Sequence, residues 1–254
     1  MKIAIIGGGN MGGATAIGLA KAGFKNLTVT ARHQSTLDKF KGLEIKTTTD
    51  NKAAVKGADY IILVVKPWMI EGVVKEIMPV LDLDNQVIVS MTTGVKAEQY
   101  REWMGSGLKL LYVIPNTAIE VGESMTFISN VSACEKDVEC LKVLFDTVGT
   151  AMVVEERLLS AGTALASCGI AYAFRYIRAA AEGGVELGFY AKDATKIVSQ
   201  TVKGAASLLE AHSSHPEAEI DKVTTPGGIT IKGLNAMEEA GFTNSVIKGL
   251  KASK

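Results

Sequence analysis

Residues 1–24 read MKIAIIGGGNMGGATAIGLAKAGF, and this stretch decides the fold of the first part of the chain. Lys2 to Ile6 is a short apolar run, which predicts a strand buried on both faces. Gly7 to Gly12 then fits the pattern G-x-G-x-x-G, and an Ala/Gly/Leu-rich helical pattern follows, which Gly23 can end. This strand–turn–helix order is the context in which the glycine pattern predicts dinucleotide binding.

The three glycines of the pattern have different expected roles. Gly7 allows the tight turn off the strand, Gly9 lets a pyrophosphate approach the backbone, and Gly12 lets the helix lie close to the strand. The helix N-terminus then offers N–H groups and a positive dipole end to the phosphates. The alternative is a glycine-rich turn that only packs.

The second expected strand, residues 26–31, ends without an acidic residue. Proteins that bind NAD usually carry Asp or Glu here, and the carboxylate binds the ribose hydroxyls. In this chain Arg32 and His33 follow instead, and the Arg32 guanidinium is placed to meet a 2′-phosphate. The alternative for Arg32 is a solvated loop charge. The sequence therefore favours NADPH as the cofactor, without excluding NADH.

Further short apolar runs predict a doubly wound α/β sheet. Strands are expected at residues 43–46, 59–65, 86–90, 108–114, 124–128 and 151–154, with helices at 50–56, 71–81 and 135–147. This alternation predicts parallel pairing. Three strands end in loops at 66–67, 91–94 and 115–117, which should share the sheet edge where ligands bind.

The pattern becomes helical near Glu155 and remains so to the end of the chain. Residues 157–187 predict one long helix that is apolar on most sides, so we expect a partner subunit to cover it. A second helix is expected at 192–211, after which Pro216 interrupts the pattern. We therefore predict a Rossmann domain at 1–154 that binds NAD(P), and an all-helical dimerisation and substrate domain at 155–254.

Composition excludes several other classes of protein. The 254 residues contain 27 Lys plus Arg and 27 Asp plus Glu, a balance that argues against nucleic acid or an anionic membrane as partner. No apolar run approaches the roughly 20 residues of a membrane span, and the opening residues read as a domain start rather than a signal peptide. Three cysteines without a C-x-x-C pair suit a reducing cytoplasm. We expect no metal site, since His212 and His215 lack a third ligand.

A second informative stretch lies at Thr225 to Thr230, which reads TPGGIT. Small residues before a helix start leave backbone N–H groups free, and such groups suit a substrate carboxylate. Thr225 and Thr230 add hydroxyl groups. An ordinary turn between two helices is the alternative, because Pro-Gly is common in turns.

The chain resembles the pyrroline-5-carboxylate reductase family over nearly its whole length. The matching pieces are IGGGNMGGA near the start, the VKP that ends at Pro67, SMTTG at 90–94, PNT at 115–117, and HP at 215–216 followed by VTTPGGITIKGL. The last piece is close to the family's signature. The resemblance implies the last step of proline biosynthesis, in which a nicotinamide cofactor reduces the cyclic imine 1-pyrroline-5-carboxylate to L-proline.

The resemblance also implies which residues form the site. The cofactor would contact Gly7, Gly8, Gly9, Asn10, Met11, Arg32, Asn51, Val64, Val65, Lys66, Pro67, Met91, Thr92 and Thr93. The substrate would contact Glu156 (or its neighbour Glu155), Thr225, Gly227, Gly228, Ile229 and Thr230. The Thr230 hydroxyl would hydrogen-bond the ring nitrogen as the catalytic group. Members of the family form dimers or larger oligomers through the helical domain, and the substrate turn of one subunit completes a site on the other.

Two departures from the family pattern leave rival functions open. Ala166 to Tyr172 reads ASCGIAY, with Ile170 at a position where the family has proline, and Ile229 stands where a smaller residue is common. One rival is another NADP-dependent imine or β-hydroxyacid-type dehydrogenase, although the latter uses a lysine of the long helix and only Arg175 and Arg178 occur there. The other rival is an NADP-binding regulatory protein without catalysis.

Overall fold

The computed structural model describes residues 1–254, which form two compact units, Met1–Ser167 and Cys168–Lys254. The first unit contains one eight-stranded sheet, and the second unit is helical. The expected fold class, a Rossmann-type sheet followed by an all-helical domain, is confirmed. The compact units divide after Ser167, whereas the domain boundary between 154 and 155 stays a prediction.

The strands are short, and most are separated by a helix. They are β1 Ile3–Ile6, β2 Leu27–Thr30, β3 Ile45–Thr48, β4 Tyr60–Leu63, β5 Val87–Ser90, β6 Leu110–Ile114, β7 Ser124–Asn130 and β8 Gly149–Val153. The α-helices of the first unit are α1 Asn10–Lys21, α2 Gln34–Leu37, α3 Asn51–Val55, α4 Ile70–Ile77, α5 Ala97–Met104, α6 Glu135–Asp146 and α7 Leu159–Gly162. Short 3₁₀ segments lie at Asp38–Phe40, Pro67–Met69, Met78–Val80, Thr117–Val121 and Glu156–Leu158.

The sheet has the strand order β3-β2-β1-β4-β5-β6-β7-β8. Along β1, Ile3 and Ile5 join one hydrophobic cluster, while Ala4 and Ile6 join a second cluster on the other face. Both faces of the strand are therefore buried, as its continuous apolar run predicts. The strand order reverses between β1 and β4, which both pair with parallel neighbours, so a crevice opens at their carboxyl ends.

The expectation of a purely parallel sheet is wrong for the last two strands. β7 pairs antiparallel with β6, and β8 pairs parallel with β7. The connection from β6 to β7 holds only the 3₁₀ segment Thr117–Val121, and it is too short to carry the chain back for a parallel pairing. Since α6 does form a crossover, β8 keeps the direction of β7.

Asp146 connects α6 to β8. One carboxylate oxygen accepts a hydrogen bond from Ala151 N at 2.7 Å, and the other pairs with Lys142 Nζ at 2.6 Å. The Lys142 ammonium and the Ala151 N–H hold the pKa of the Asp146 carboxyl below its usual value. This carboxylate therefore stabilises the fold at neutral pH, and the contribution is lost as the pH falls through the lowered pKa.

Asp146→Asn is expected to lower the free energy of unfolding at pH 7 by at most about 1 kcal/mol, because solvent screens the ion pair with Lys142. The difference from wild type should shrink in acid, where the wild-type carboxyl is protonated. Urea denaturation at a series of pH values measures it. A difference that stays constant from neutral to strongly acidic pH would contradict this account.

The second unit contains five helices. They are α8 Gly169–Glu186, α9 Ala191–His212, α10 Pro216–Lys222, α11 Ile229–Glu239 and α12 Phe242–Ala252. Pro216 interrupts the helical pattern as expected, and it also begins α10, where the missing N–H costs nothing. Many large apolar side chains remain exposed here, among them Phe174, Leu187 and Tyr190. No helix of the chain is both long enough and apolar enough to cross a bilayer.

The long helix predicted at 157–187 is not continuous. A 3₁₀ turn, the short α7 and a π-helical segment at Thr163–Cys168 precede α8. Gly162 lies against the ring of Phe127 on β7, and a Cβ there would stand 2.8 Å from ring carbons. The chain before α8 thus packs closely against the sheet, which helical periodicity alone does not reveal.

Candidate active site

The crevice at the reversal of strand order is a cleft of about 570 Å³. Four loops surround it, each at the carboxyl end of a strand: the glycine loop after β1, and the loops after β2, β4 and β5. The lining residues are Gly7, Gly8, Gly9, Asn10, Met11, Ala31, Arg32, His33, Thr36, Val64, Val65, Lys66, Pro67, Met69, Met91, Thr92 and Thr93.

The glycine loop has the geometry that its residue types predict. Gly7 has a φ of +114°, and a Cβ there would stand 2.3 Å from the carbonyl oxygen of Val64, so only glycine fits. A Cβ on Gly12 would stand 2.1 Å from the carbonyl oxygen of Gly7, which shows how closely α1 approaches the turn. Gly9 faces open space, with nothing within 4 Å of a Cβ.

Backbone contacts hold this loop against the neighbouring strand. Gly7 N and Gly8 N both donate to the carbonyl of Thr30 at the end of β2, at 3.2 and 2.6 Å. No side chain caps the start of α1, where Gly9 is the N-cap residue. The first N–H groups of a twelve-residue helix therefore point toward the open side of Gly9, an arrangement that suits a diphosphate.

The loops after β4 and β5 are connected by Thr92. Its buried hydroxyl donates to the carbonyl of Val65 at 3.0 Å, and the neighbouring Met91 N donates to the carbonyl of Leu63 at 3.0 Å. Ser90, at the end of β5, exchanges a 2.8 Å hydrogen bond with Tyr100. Burial raises the pKa of Tyr100 to about 12, so this phenol stays neutral and holds the loop as a hydrogen-bonding group.

The loop after β2 brings cationic groups to the same cleft. Arg32 and His33 line it, together with Thr36. Arg32 forms no salt bridge, and its guanidinium is available to an anion. Lys39, further along the same segment, donates from Nζ to the carbonyl of Gly9 at 2.9 Å. Partial burial lowers the pKa of Lys39, and the negative charge of Glu120 opposes this shift.

Thirteen of the fourteen residues expected at the cofactor line this cleft, and Asn51 does not. The Asn51 side chain accepts a 2.7 Å hydrogen bond from Thr30 and donates to Glu76 at 2.9 Å. It therefore supports the end of β2, and its contact with a cofactor stays a prediction. Ala31, His33, Thr36 and Met69 line the cleft without having been expected there. Ala31, His33 and Thr36 lie within four residues of Arg32, so their closeness to it in the sequence could have predicted that they line the cleft.

The expected carboxylate-binding turn lies in the helical unit. Gly227 has a φ of +76°, and Gly228 N closes the turn onto the carbonyl of Thr225 at 2.9 Å. A Cβ on Gly228 would stand 2.6 Å from Thr225 Oγ1, so the turn needs glycine here. Gly228 is the N-cap residue of α11, and no side chain caps this helix. Ile229 and Thr230 are both exposed in its first turn, which leaves N–H groups and a hydroxyl free for an anion.

Glu156 belongs to the first unit, at the start of the 3₁₀ turn Glu156–Leu158. It is exposed, and its neighbour Glu155 pairs with Arg157 Nε at 2.5 Å. Burial first, and then the negative charge of Glu156, raise the pKa of Tyr112 in β6. Glu156 forms no salt bridge, and its contact with a substrate stays a prediction.

Each unit thus has the residues for a binding site of its own. The cleft fits a dinucleotide, because Gly9 leaves room for the diphosphate, α1 begins uncapped and Arg32 is free to meet a phosphate. The turn before α11 fits a small carboxylate, and no metal-binding cluster of His, Cys, Asp or Glu occurs in the structure.

Two family models match separate parts of the chain. Residues 156–254 match pyrroline-5-carboxylate reductase dimerisation, and residues 2–94 match NADP oxidoreductase, coenzyme F420-dependent. The helical unit therefore has the sequence of a dimerisation domain, which agrees with its exposed apolar side chains.

Relatives cover the whole chain. Pyrroline-5-carboxylate reductase 1 of Dictyostelium discoideum is 39% identical over 99% of this chain, which spans only 48% of that protein. Pyrroline-5-carboxylate reductase 2 of the same organism is 35% identical over 99% of this chain and 90% of its own length. The crystal structure of Plasmodium falciparum pyrroline carboxylate reductase with NADP bound has a TM-score of 0.89 and 26% identity, covering 100% of this chain and 95% of that one. On these similarities the chain belongs to the pyrroline-5-carboxylate reductase family.

Proposed function

We propose that this protein reduces 1-pyrroline-5-carboxylate to L-proline with NADPH, the last step of proline biosynthesis. The observation that carries the proposal is the uncapped Gly228 turn before α11, in a chain whose relatives at 35% and 39% identity are named for this reaction. A dinucleotide cleft alone is common to many dehydrogenases, but a second small-anion site fits an imine that carries a carboxylate.

The cofactor binds in the cleft of the first unit. The glycine loop holds the diphosphate, Arg32 holds the 2′-phosphate, and residues 64–67 and 91–93 support the nicotinamide end. NADP is present in the Plasmodium structure, and the model that matches residues 2–94 describes an NADP oxidoreductase. When bound, NADPH supplies the hydride.

The substrate is held mainly by backbone groups. The N–H groups of Gly228 to Thr230 bind the carboxylate, and the Thr230 hydroxyl hydrogen-bonds the ring nitrogen. A protonated cyclic imine accepts hydride readily at carbon, so the reaction needs orientation more than a strong acid. This chemistry explains why a threonine can serve where a β-hydroxyacid dehydrogenase uses a lysine.

We further propose that the helical domain, residues 155–254, joins two copies into a homodimer, from which larger oligomers can form. Exposed Phe174, Leu187 and Tyr190 support this, because such side chains are normally covered. Three free cysteines support a cytoplasmic location.

A spectrophotometric assay of NADPH oxidation with pyrroline-5-carboxylate tests the function. We expect turnover with this substrate and none with β-hydroxyacids and NADP. Turnover only on other cyclic imines would replace the proposed substrate, and tight NADPH binding without turnover on any imine would indicate a regulatory protein.

Arg32→Ala is expected to raise the KM for NADPH about tenfold, because a charged hydrogen bond to the 2′-phosphate is lost. The KM for NADH should stay unchanged, since NADH lacks that phosphate, and this makes NADH the internal control. Steady-state kinetics with both cofactors measures the ratio. Equal losses for the two cofactors would remove Arg32 from this role.

A further inference from the structure

Lys39 is a cationic residue that contacts the glycine loop although it lies outside the G-x-G-x-x-G motif. It lies in the 3₁₀ segment Asp38–Phe40, and its Nζ donates to the carbonyl of Gly9 at 2.9 Å. Gly9 is both the N-cap of α1 and the glycine that faces open space. The ammonium group therefore lies beside the first turn of α1, on the carbonyl that also accepts the helical hydrogen bond of Gly13 N.

Gly13 leaves room for the end of the Lys39 side chain. A Cβ on Gly13 would stand 2.3 Å from Lys39 Nζ and 2.8 Å from its Cε, whereas the next nearest atom, the carbonyl oxygen of Gly8, is 3.5 Å away. Gly13 follows the glycine pattern and is not part of it. Its backbone is ordinary α-helix, so conformation alone does not require glycine here. The second glycine of the Gly12-Gly13 pair forms the niche for the lysine.

The segment that carries Lys39 is anchored on both sides. Leu37 and Phe40 are each 2% exposed in the hydrophobic core, and a Cβ on Gly8 would lie 3.4 Å from the Phe40 ring. Lys39 Nζ also stands 5.2 Å from the centroid of that ring. By contrast, Lys41 points to solvent and pairs with Asp38 at 3.0 Å, while Lys39 forms no salt bridge. Lys39 thus has a hydrogen bond to the glycine loop and no salt bridge, and the negative charge of Glu120 favours its protonated form.

We propose that Lys39 is a positioning residue for the cofactor diphosphate, which fixes the Gly9 carbonyl and places a positive charge beside the glycine loop. This inference rests on the proposed NADPH-dependent function. The diphosphate is common to NADPH and NADH, so Lys39 acts on both cofactors equally. Arg32, in contrast, acts only on the cofactor that carries a 2′-phosphate.

Fluorescence titration of the purified protein with NADPH and with NADH tests the proposal. Lys39→Ala should raise the Kd of both cofactors by the same factor, about tenfold. The kcat at saturating NADPH should stay near wild type, and so should the melting temperature. Lys41→Ala is the matched control and should leave both Kd values unchanged.

A double-mutant cycle that combines Gly13→Ala with Lys39→Ala gives a second test, which does not depend only on removing the lysine. Gly13→Ala should displace the ammonium group and weaken both cofactors about as much as Lys39→Ala does. In the Lys39→Ala protein the niche is empty, so adding Gly13→Ala should cause no further loss. Alanine should even raise the melting temperature there, because it favours the helix.

Three results would overturn the inference. The first is a Kd within twofold of wild type for Lys39→Ala, and the second is additive losses in the double variant. Either would leave the proposed function intact, because the wild-type protein would still bind and oxidise NADPH. The third is a wild-type protein that binds neither cofactor, which would overturn the proposed function as well.

Discussion

Thr230→Ala is expected to lower kcat about 100-fold, while the Kd of NADPH stays unchanged. The Thr230 hydroxyl is exposed in the first turn of α11, beside the backbone N–H groups proposed to hold the carboxylate. A hydrogen bond to the ring nitrogen that aligns the imine contributes at this level to a proton-assisted reaction. Steady-state kinetics gives kcat, and fluorescence titration gives the cofactor affinity.

A matched control exists on the next helix. Thr243 is the second residue of α12, as Thr230 is of α11, and its hydroxyl donates to Glu238 at 2.7 Å. Thr243→Ala should therefore affect stability slightly and leave kcat unchanged. Equal activity of Thr230→Ala and wild type would remove Thr230 from catalysis and leave the backbone N–H groups as the only substrate contacts of this turn.

Gly9→Ala is expected to raise the Kd of NADPH about 100-fold without unfolding the protein. The added methyl group meets nothing within 4 Å in the free protein, and the extended backbone of Gly9 has a negative φ of −68°. A bound diphosphate, however, would have to move away from the α1 N–H groups by about the radius of that methyl group. Weakening one or two charged hydrogen bonds, which contribute about 1.5–3 kcal/mol each, accounts for a loss of this size, since about 1.4 kcal/mol is tenfold in Kd.

Gly12→Ala is the contrasting variant for this prediction. A Cβ there would stand 2.1 Å from the carbonyl oxygen of Gly7, so this change should lower the melting temperature as well as the affinity. Melting curves and cofactor titrations of both proteins separate the two effects. A Gly9→Ala protein that binds NADPH as tightly as wild type would exclude close approach of the diphosphate at this glycine.

These two variants act on different units of the chain. Gly9→Ala should impair cofactor binding, and Thr230→Ala should impair the chemical step alone. A regulatory protein that binds NADPH without catalysis would respond to the first change and not to the second. The pair therefore also distinguishes the proposed enzyme from its rival.

Most of the cofactor cleft could be predicted from sequence, because its signals are local. Gly7 and Gly12 occupy positions where a Cβ would clash, Gly9 leaves open space beside the loop, and the pattern names all three. The loops at 64–67 and 91–93 follow apolar strands, and parallel strands bring their carboxyl ends to one edge. Arg32 was predicted at the cofactor because the Asp or Glu that NAD-binding proteins usually carry after the second strand is missing, and an arginine stands there instead.

The errors arose where distant parts of the chain decide the structure. β7 has the residue pattern of any buried strand, and only its pairing with β6 makes it antiparallel. The break in the long helix lies beside the close approach of Gly162 to the Phe127 ring, which the local sequence does not show. The hydrogen bonds of Asn51 to Thr30 and Glu76 likewise join residues far apart in the chain, while its contact with a cofactor stays a prediction.

By itself, the sequence determined the two-part fold, the dinucleotide loop and the glycine turn before α11, because glycine positions and apolar periodicity act over a few residues. Only the tertiary structure decided the direction of β7, the π-helical segment and the contact of Lys39 with Gly9 across the niche at Gly13. Those features depend on distances between residues far apart in the chain, and such distances are determined when the sheet and its helices pack together.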